Sequence, residues 1–313
     1  MATAFTFPGQ GSQVVGMGKA LAEASGIARA VFDEVDEALG EKLSTLMFDG
    51  PEETLTLTAN AQPALMAVSV ALMRVLAERG FDLKSKVAYV AGHSLGEYSA
   101  LAAAGTFSLA DTARLLRIRG NAMQKAVPAG HGAMAAIIGL EHPDVQSACE
   151  VAAHGEVCQI ANDNGGGQLV ISGSKGAVER AAALATEKGA KRAIMLPVSA
   201  PFHSALMAPA ADAMRDALAA VTKSSPVVPV VSNVTVTPTT DPDEIAARLV
   251  QQVTGPVRWR ETVEWFAGNG VTNLVEVGSG KVLTGLARRI SKDVSGTAIN
   301  SIEDIDTYLA ASA

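Results

Sequence analysis

Gly92-His93-Ser94-Leu95-Gly96 places a serine between two glycines, directly after the short apolar run Val87-Ala88-Tyr89-Val90-Ala91 and before a segment with helical spacing. A G-x-S-x-G at a strand-to-helix junction is the setting of a nucleophile elbow. The glycines let neighbouring backbone approach closely. The tight turn pushes the serine Oγ out at the carboxyl end of a sheet, and the free N–H groups of the following helix can hold a developing oxyanion. The competing reading is a Gly-rich turn whose serine only caps the helix. A serine hydroxyl also needs a base at neutral pH. The chain has five histidines, His93, His131, His142, His154 and His203. His93 adjoins the serine, but neighbours on a sharp turn point apart. His131, His142 and His154 fall at edges or exposed positions of a smaller segment. His203, in Ser199-Ala200-Pro201-Phe202-His203-Ser204, lies between a strand and a helix, where open α/β sheets carry catalytic groups. The residues alone leave His203 balanced between a general base and a helix N-terminal histidine with a local hydrogen bond.

A second Gly-rich turn, Pro8-Gly9-Gln10-Gly11-Ser12-Gln13, also follows a strand and precedes a helix. Its backbone N–H groups can face an anion, but no Gly-Lys-Ser/Thr follows it. Gly278-Ser279-Gly280-Lys281 looks like a phosphate loop, yet Val275 stands where the first glycine is required and Val282 follows the lysine. Asn164-Gly165-Gly166-Gly167 reads as a hairpin turn. Arg119 shares its helix with Arg114 and Arg117, and by itself reads as a surface charge. Nothing has the clustered Cys/His spacing of a metal site, and Cys149 and Cys158 read as reduced thiols.

The elements that must position these residues alternate. Ala4–Phe7 reads as a strand stopped by Pro8-Gly9. Helices are expected over 14–39 with a break near Ser25-Gly26, over 60–79 with Pro63 in the first turn, from Leu95, and over 109–126 behind a Ser108 cap. Between Gly130 and Leu196 the order is β-α-β-β-α-β, the ferredoxin-like arrangement, with the two glycine-linked strands at 157–162 and 168–172. Beyond it come a helix over 204–221, a strand over 228–232, helices over 244–253 and 259–267, a strand over 273–277 and a helix to Ile290. The predicted fold class is therefore α/β: a large unit with a mainly parallel sheet covered on both faces, formed by residues 1–127 and 198–313, with a small ferredoxin-like subdomain, 128–197, inserted in it.

Composition bounds the function. Apolar residues make up 48% of the 313 residues, enough for a sizeable core and too much for a disordered chain. The net charge of −7 argues against nucleic-acid partners, which need a basic face. No uninterrupted apolar run approaches the length of a membrane span, and residues 1–10 lack the layout of a signal peptide. A cytoplasmic protein without a membrane partner is expected, and a monomer is the simplest state.

Taken together, Pro8–Gln13, Gly92-His93-Ser94-Leu95-Gly96-Glu97-Tyr98, Arg119-Gly120-Asn121-Ala122-Met123, Pro201-Phe202-His203-Ser204, Gln252-Val253-Thr254-Gly255-Pro256-Val257-Arg258-Trp259 and Gly280-Lys281-Val282-Leu283-Thr284-Gly285-Leu286 resemble the malonyl-CoA:acyl carrier protein transacylase family, in its order and about its spacing. The family's fold, a hydrolase-like α/β domain with an inserted ferredoxin-like subdomain, agrees with the layout above. The resemblance implies that Ser94 attacks the thioester of malonyl-CoA with His203 as base. It implies that the backbone carbonyl of Gln252, instead of an acidic residue, orients the imidazole. The N–H groups of Leu95 and Gln10 would form the oxyanion hole, Arg119 would bind the malonyl carboxylate, and Asn162 would lie near the site. Met123 and Phe202 would limit room at the acyl α-carbon.

The implied partners are malonyl-CoA and an acyl carrier protein bearing a phosphopantetheine thiol, with no metal or redox cofactor. Because carrier proteins are acidic, Lys191, Arg192, Lys281, Arg288 and Arg289 are candidates for a basic docking patch; a solvated helix face is the plainer reading of the same residues. Gly278-Ser279-Gly280 departs from the Gly-Pro-Gly expected in many relatives, at a place expected to lie away from the chemistry. The alternatives are a serine esterase or thioesterase-type hydrolase, a polyketide-synthase-associated acyltransferase, and a carrier-binding module without catalysis. Hydrolases of the first kind place the acid and then the histidine late in the chain, whereas here 110 residues follow His203.

Overall fold

The computed structural model describes residues 2–198 and 200–312; Met1, Ser199 and Ala313, which fall in stretches quoted above, lie outside them. The strands among the described residues are β1 (Ala2–Phe7), β2 (Tyr89–Gly92), β3 (Gly132–Ile138), β4 (Cys158–Asp163), β5 (Gln168–Ser174), β6 (Arg192–Met195), β7 (Val230–Val231), β8 (Pro238–Thr239), β9 (Val271–Val277) and β10 (Ser295–Ile299). They form two sheets. The first has the order β10-β9-β1-β2-β7-β8 and is parallel except for the β7–β8 pair. Its central strand β1 is buried from Ala4 to Phe7 on both faces, as a strand covered by helices on each side must be.

Register decides where the two Gly-rich turns meet. Phe7 pairs with Gly92, so the loop after β1 and the elbow after β2 leave the same edge of the sheet side by side. The strands flanking these two, β9 and β7, also end there, delivering Gly278-Ser279-Gly280 beside β1 and Ser232-Asn233 beside β2. The carboxyl edge of four neighbouring parallel strands thus gathers residues from the beginning, middle and end of the chain.

The second sheet, β4-β5-β3-β6, is antiparallel throughout. Helices His142–Ala153 and Lys175–Glu187 cover it around a separate apolar cluster that includes Ile137, Val145, Ile160, Ile171 and Val178. This is the β-α-β-β-α-β order read from the sequence, with the turn at Gly165–Gly167 in place: Gln168 N–H donates to the Gly165 carbonyl at 3.0 Å. The two sheets are joined where Val257 bridges β4, its N–H donating to the Ala161 carbonyl at 2.8 Å and its carbonyl accepting the Asp163 N–H at 3.0 Å.

The helix Thr58–Glu78 runs through the main core and is buried along most of its length. By length and composition it would span a bilayer, but 89% of its apolar stretch is inside the protein. It begins two residues earlier than the sequence suggested, so Pro63 sits in the second turn, where it removes one helical bond. A glycine permits its closest helical neighbour: a Cβ at Gly120 would lie 2.6 Å from Ala59 Cα, so the helix Leu109–Lys125 can cross here only without a side chain.

Other boundaries moved for local reasons. The helix expected from Val14 starts at Lys19, after Gly16 and Gly18 make turns at positive φ, and it breaks at Ser25, whose Oγ accepts the Ala28 N–H. The strand expected at 87–91 begins at Tyr89, because Val87 closes a short helix, Leu83–Lys86, capped by Asp82. The helix expected from Ser204 starts as a 3-10 turn, Ala205–Met207, before Ala208–Ala220. The strand expected at 228–232 is two residues long and pairs with β8, which was not foreseen. Strand β10 and the helices Leu43–Asp49 and Ile302–Ser312 were also missed.

Candidate active site

Ser94 sits at φ 52°, a left-handed conformation that a non-glycine residue rarely adopts. The flanking glycines are required by contact. A Cβ at Gly92 would lie 1.9 Å from the Gly96 carbonyl carbon, and one at Gly96 2.2 Å from the Phe7 carbonyl oxygen. The elbow is therefore compressed against the end of β1, and the helix Gly96–Ala103 starts immediately after it.

The Ser94 Oγ lies 2.7 Å from His203 Nε2. On the other side of the ring, Nδ1 is 2.8 Å from the Gln252 carbonyl and 3.1 Å from the Gly255 carbonyl. Carbonyl oxygens only accept, so Nδ1 carries the proton and Nε2 presents its lone pair to the serine. Burial, aided by the charge of Arg119, pushes the His203 pKa down to about 3, against the raising effect of the two carbonyls. The ring is neutral at pH 7, the form a base needs. His203 itself stands at φ 56° on the connection between β6 and the Ala205–Met207 turn.

Arg119 is 1% exposed, which removes the surface-charge reading. Its guanidinium donates to Gln62 Oε1 at 2.8 Å, to Gln252 Oε1 at 2.8 Å and to Ser94 Oγ at 3.1 Å. Its Nε has no hydrogen-bond partner among the described residues. The guanidinium's hydrogen-bond partners are neutral; it also lies 5.7 Å from the centroid of the Tyr98 ring and feels the charge of Glu97 through space, and it points at the nucleophile without a directly bonded carboxylate among the described residues. The signal was present in the sequence. Thr112, Leu115, Leu116, Arg119, Gly120 and Met123 recur at helical spacing and are all buried, whereas Arg117 turns out toward Glu41 and Asn60, and Arg114 toward Asp111 and the Ala38 carbonyl.

A cavity of about 360 Å³ brings Ser94, His203, Arg119, Gln10, Leu95, Asn162, Met123 and Phe202 to one wall or another. Of the sequence-selected residues, Gln252 stands behind this wall and reaches it through His203 and Arg119. Gln10 is held by its side chain, whose Nε2 donates to Thr58 Oγ1 at 3.2 Å, and by Gly9, where a Cβ would come within 2.9 Å of His93 Nδ1. His93 lines the same cavity, and its Nε2 meets Asn164 Oδ1 at 2.9 Å. His131, His142 and His154 are exposed. A second, more open groove of about 450 Å³ between helices Ala208–Ala220 and Pro242–Thr254 holds none of the selected residues. Among the described residues no group of three or more His, Cys, Asp or Glu side chains is placed to hold a metal ion.

Four contributors were missed: Gln62, Asn164, Asn233 and Glu97. Glu97 is 1% exposed and accepts from the Asn233 N–H at 3.1 Å and from Gln252 Nε2 at 2.8 Å. Burial raises its pKa to about 7, opposed by these hydrogen bonds and by Arg119 and Arg248. A charged residue in the first turn of a helix is ordinary, so only its burial marks it. Gly278-Ser279-Gly280 is not among the residues lining the cavity, but it bears on the site through a loop. Ser279 Oγ donates to the Ser12 carbonyl at 2.7 Å, and Gly278 abuts Pro8, so this turn supports the loop that carries Gln10. The adjacency of β9 and β1 causes this, and spacing along the chain does not reveal it.

The acyl transferase domain family matches residues 4–302. The malonyl CoA-acyl carrier protein transacylase of Escherichia coli (strain K12) is 51% identical over 297 residues, covering 95% of each chain. The crystal structure of an acyl-carrier-protein-S-malonyltransferase from Bartonella henselae is 63% identical with a TM-score of 0.98 over 99% of both chains. A malonyl-transacylase solved in complex with a type II PKS acyl-carrier protein is 45% identical with a TM-score of 0.96, over 99% of this chain and all of that one. With its elbow serine, carbonyl-oriented histidine and buried arginine in one cavity, the chain belongs to the malonyl-CoA:acyl carrier protein transacylase family of acyl transferases.

Proposed function

We propose that this protein moves the malonyl group from malonyl-CoA to the phosphopantetheine thiol of an acyl carrier protein through a malonyl ester on Ser94. One observation carries the reading: Ser94 Oγ is within 2.7 Å of a neutral imidazole and within 3.1 Å of a buried guanidinium, at the wall of a single cavity. In the first half-reaction Oγ attacks the thioester carbonyl and its proton passes to His203 Nε2. The oxyanion lies against the N–H groups of Gln10 and Leu95. Collapse of the tetrahedral adduct breaks the C–S bond, and the CoA sulfur leaves with the proton held on Nε2. In the second half-reaction His203 takes the proton of the carrier thiol, sulfur attacks the ester, and Ser94 Oγ departs reprotonated. No step requires a metal or redox group.

Arg119 supplies the selectivity. A planar fork of donors suits a carboxylate, and a malonyl carboxylate provides the charge that Gln62 and Gln252 lack. An acetyl group leaves the buried cation unpaired, and sites that lose a buried partner discriminate strongly. Met123 and Phe202 at the cavity wall crowd the α-carbon and disfavour branched acyl groups, and Asn162 on β4 lines the same cavity. We assign the small subdomain to residues 128–197 and the large one to the flanking segments, and place the reaction in the cytoplasm. Lys191, Arg192, Lys281, Arg288 and Arg289 are all exposed. Side chains of Lys191 and Arg289 abut Gly139 and Gly166, which puts both cations beside the Gly165–Gly167 turn, and this basic surface suits an acidic carrier.

The deciding experiment is mass spectrometry of the intact protein after mixing with malonyl-CoA. A single malonyl adduct, lost in Ser94→Ala and discharged by holo-acyl carrier protein, is expected. A folded protein that forms no adduct overturns the reading.

A further inference from the structure

The chemistry above leaves one buried polar side chain beside the nucleophile without a role. Asn233 is 0% exposed and follows β7, the strand that pairs with β2 through Val230 and Val90. Its Oδ1 accepts the Ser94 N–H at 2.8 Å, and its Nδ2 donates to the Gly92 carbonyl at 2.7 Å. One amide therefore spans both sides of the turn that carries the serine. Its own backbone is tied in turn: the N–H donates to the Glu97 carboxylate at 3.1 Å, and the carbonyl accepts the Arg258 N–H at 3.1 Å. Gln252 Nε2, which also reaches Glu97, lies 3.3 Å from Asn233 Oδ1.

The chemistry of the side chain fits this place closely. Only a group that donates and accepts at once can satisfy a backbone carbonyl and a backbone N–H two residues apart. A carboxylate would turn an oxygen toward the Gly92 carbonyl, and an aliphatic side chain would leave two buried backbone groups unpaired. The turn needs such support because Ser94 is held at φ 52°, and strained backbone persists only where its surroundings fix it. With the Ser94 N–H occupied by Asn233, the elbow's contribution to the oxyanion falls to Leu95.

We propose that Asn233 is a positioning residue for acyl transfer, clamping the elbow so that Ser94 Oγ meets His203 and the Leu95 N–H faces the thioester oxygen. The proposal rests on the transfer reading given above. Asn233 is not among the residues that line the cavity, so its removal slows the formation of the ester and leaves substrate binding and the choice between acyl groups in place. The effect of such a misplacement far exceeds its structural size, since reacting atoms must be aligned to fractions of an ångström.

The test is rapid-quench mass spectrometry of malonyl-Ser94 formation in the full-length protein, comparing wild type, Asn233→Ala and Asn233→Ser well below their melting temperatures. We expect acylation at saturating malonyl-CoA to fall about 30- to 100-fold in Asn233→Ala, with KM changed less than threefold and the malonyl-to-acetyl preference kept. Acylation within threefold of wild type in a folded variant overturns the proposal, as does a KM that rises as much as the rate falls. Should both variants fail to fold, hydrogen exchange at the Ser94 amide of the unsubstituted protein decides. Slow exchange is expected, and exchange at the rate of an open loop overturns it. Failure of the wild type to form the ester would instead defeat the transfer reading, so the two failures are distinct.

Discussion

At Arg119 a charge is buried next to a nucleophile whose oxygen it already touches, and its removal can be measured. Arg119→Ala should lower malonyl transfer by at least about 100-fold while lowering acetyl transfer far less, since only the first substrate offers a charge to the guanidinium. Equal losses in a side-by-side assay with both acyl-CoAs would contradict this. His203 gives a second measurement. Its pKa is pushed down to about 3 from an ordinary value of 6.5, so the neutral ring is the folded form. The depressed pKa makes stability fall as pH drops from 6.5 toward 3, because the unfolded chain takes up the proton first. In kcat/KM profiles for malonyl-CoA, the acid limb due to the imidazole should lie well below pH 6, and a limb centred at 6.5 would show an unperturbed ring. The serine was legible from its motif. The histidine was legible only as one of two readings, because the carbonyls that orient it come from 49 and 52 residues away. Arg119 by itself read as a surface charge and was singled out only by the resemblance, because the two outward-facing arginines beside it hide its place on an apolar stripe.

Helices and strands hold these groups through close approach. Gly120 lets the arginine-bearing helix touch the start of Thr58–Glu78, where a methyl group at residue 120 would come within 2.6 Å of Ala59 Cα. Gly120→Val should destabilise the fold by about 1–3 kcal/mol in urea or thermal unfolding, as overpacking does, and reduce activity by displacing Arg119. A second element-scale effect runs through Glu97, which ties the helix after the elbow to the end of β7 and to the helix Pro242–Thr254. Its pKa is raised from 4.5 to about 7, so its contribution is full below pH 4.5 and disappears as pH rises through 7. Glu97→Gln should therefore gain on the wild type in stability between pH 5 and pH 8, by roughly 3 kcal/mol at most. A pH-independent difference would rule out the shift. The elements themselves were readable where periodicity was strong, as in the helices over 109–126 and 244–253. They were unreadable where an edge strand such as Ser295–Ile299 carries little apolar pattern, or where tertiary pairing makes a two-residue strand.

For the molecule as a whole, parallel register supplied what sequence order could not. The pairing of β9 with β1 and of β2 with β7 brings Ser279 and Asn233 to a site whose motifs lie far from both in the chain. The βαββαβ insertion was legible because its hairpin glycines and short helices repeat a known order, while its seam with the larger sheet at Val257 was not. The exposed cations near the Gly165–Gly167 turn belong to this scale as well. Lys191→Glu with Arg289→Glu should raise the KM for the carrier protein more than that for malonyl-CoA, by about tenfold at low salt and less at high salt. Equal changes in both constants would place the carrier elsewhere.

The stretch from Gln252 to Val257 has two obligations at once. Its carbonyls at Gln252 and Gly255 hold the imidazole, and two residues beyond the second of them Val257 fastens the strand that bears Asn162. An acyl group pressing on Asn162 would thus lean on the same short tether that sets the angle of the ring. On the transfer reading proposed above, an oversized acyl group that entered would be expected to meet a misaligned proton acceptor, so that it would be turned over slowly even where it is admitted.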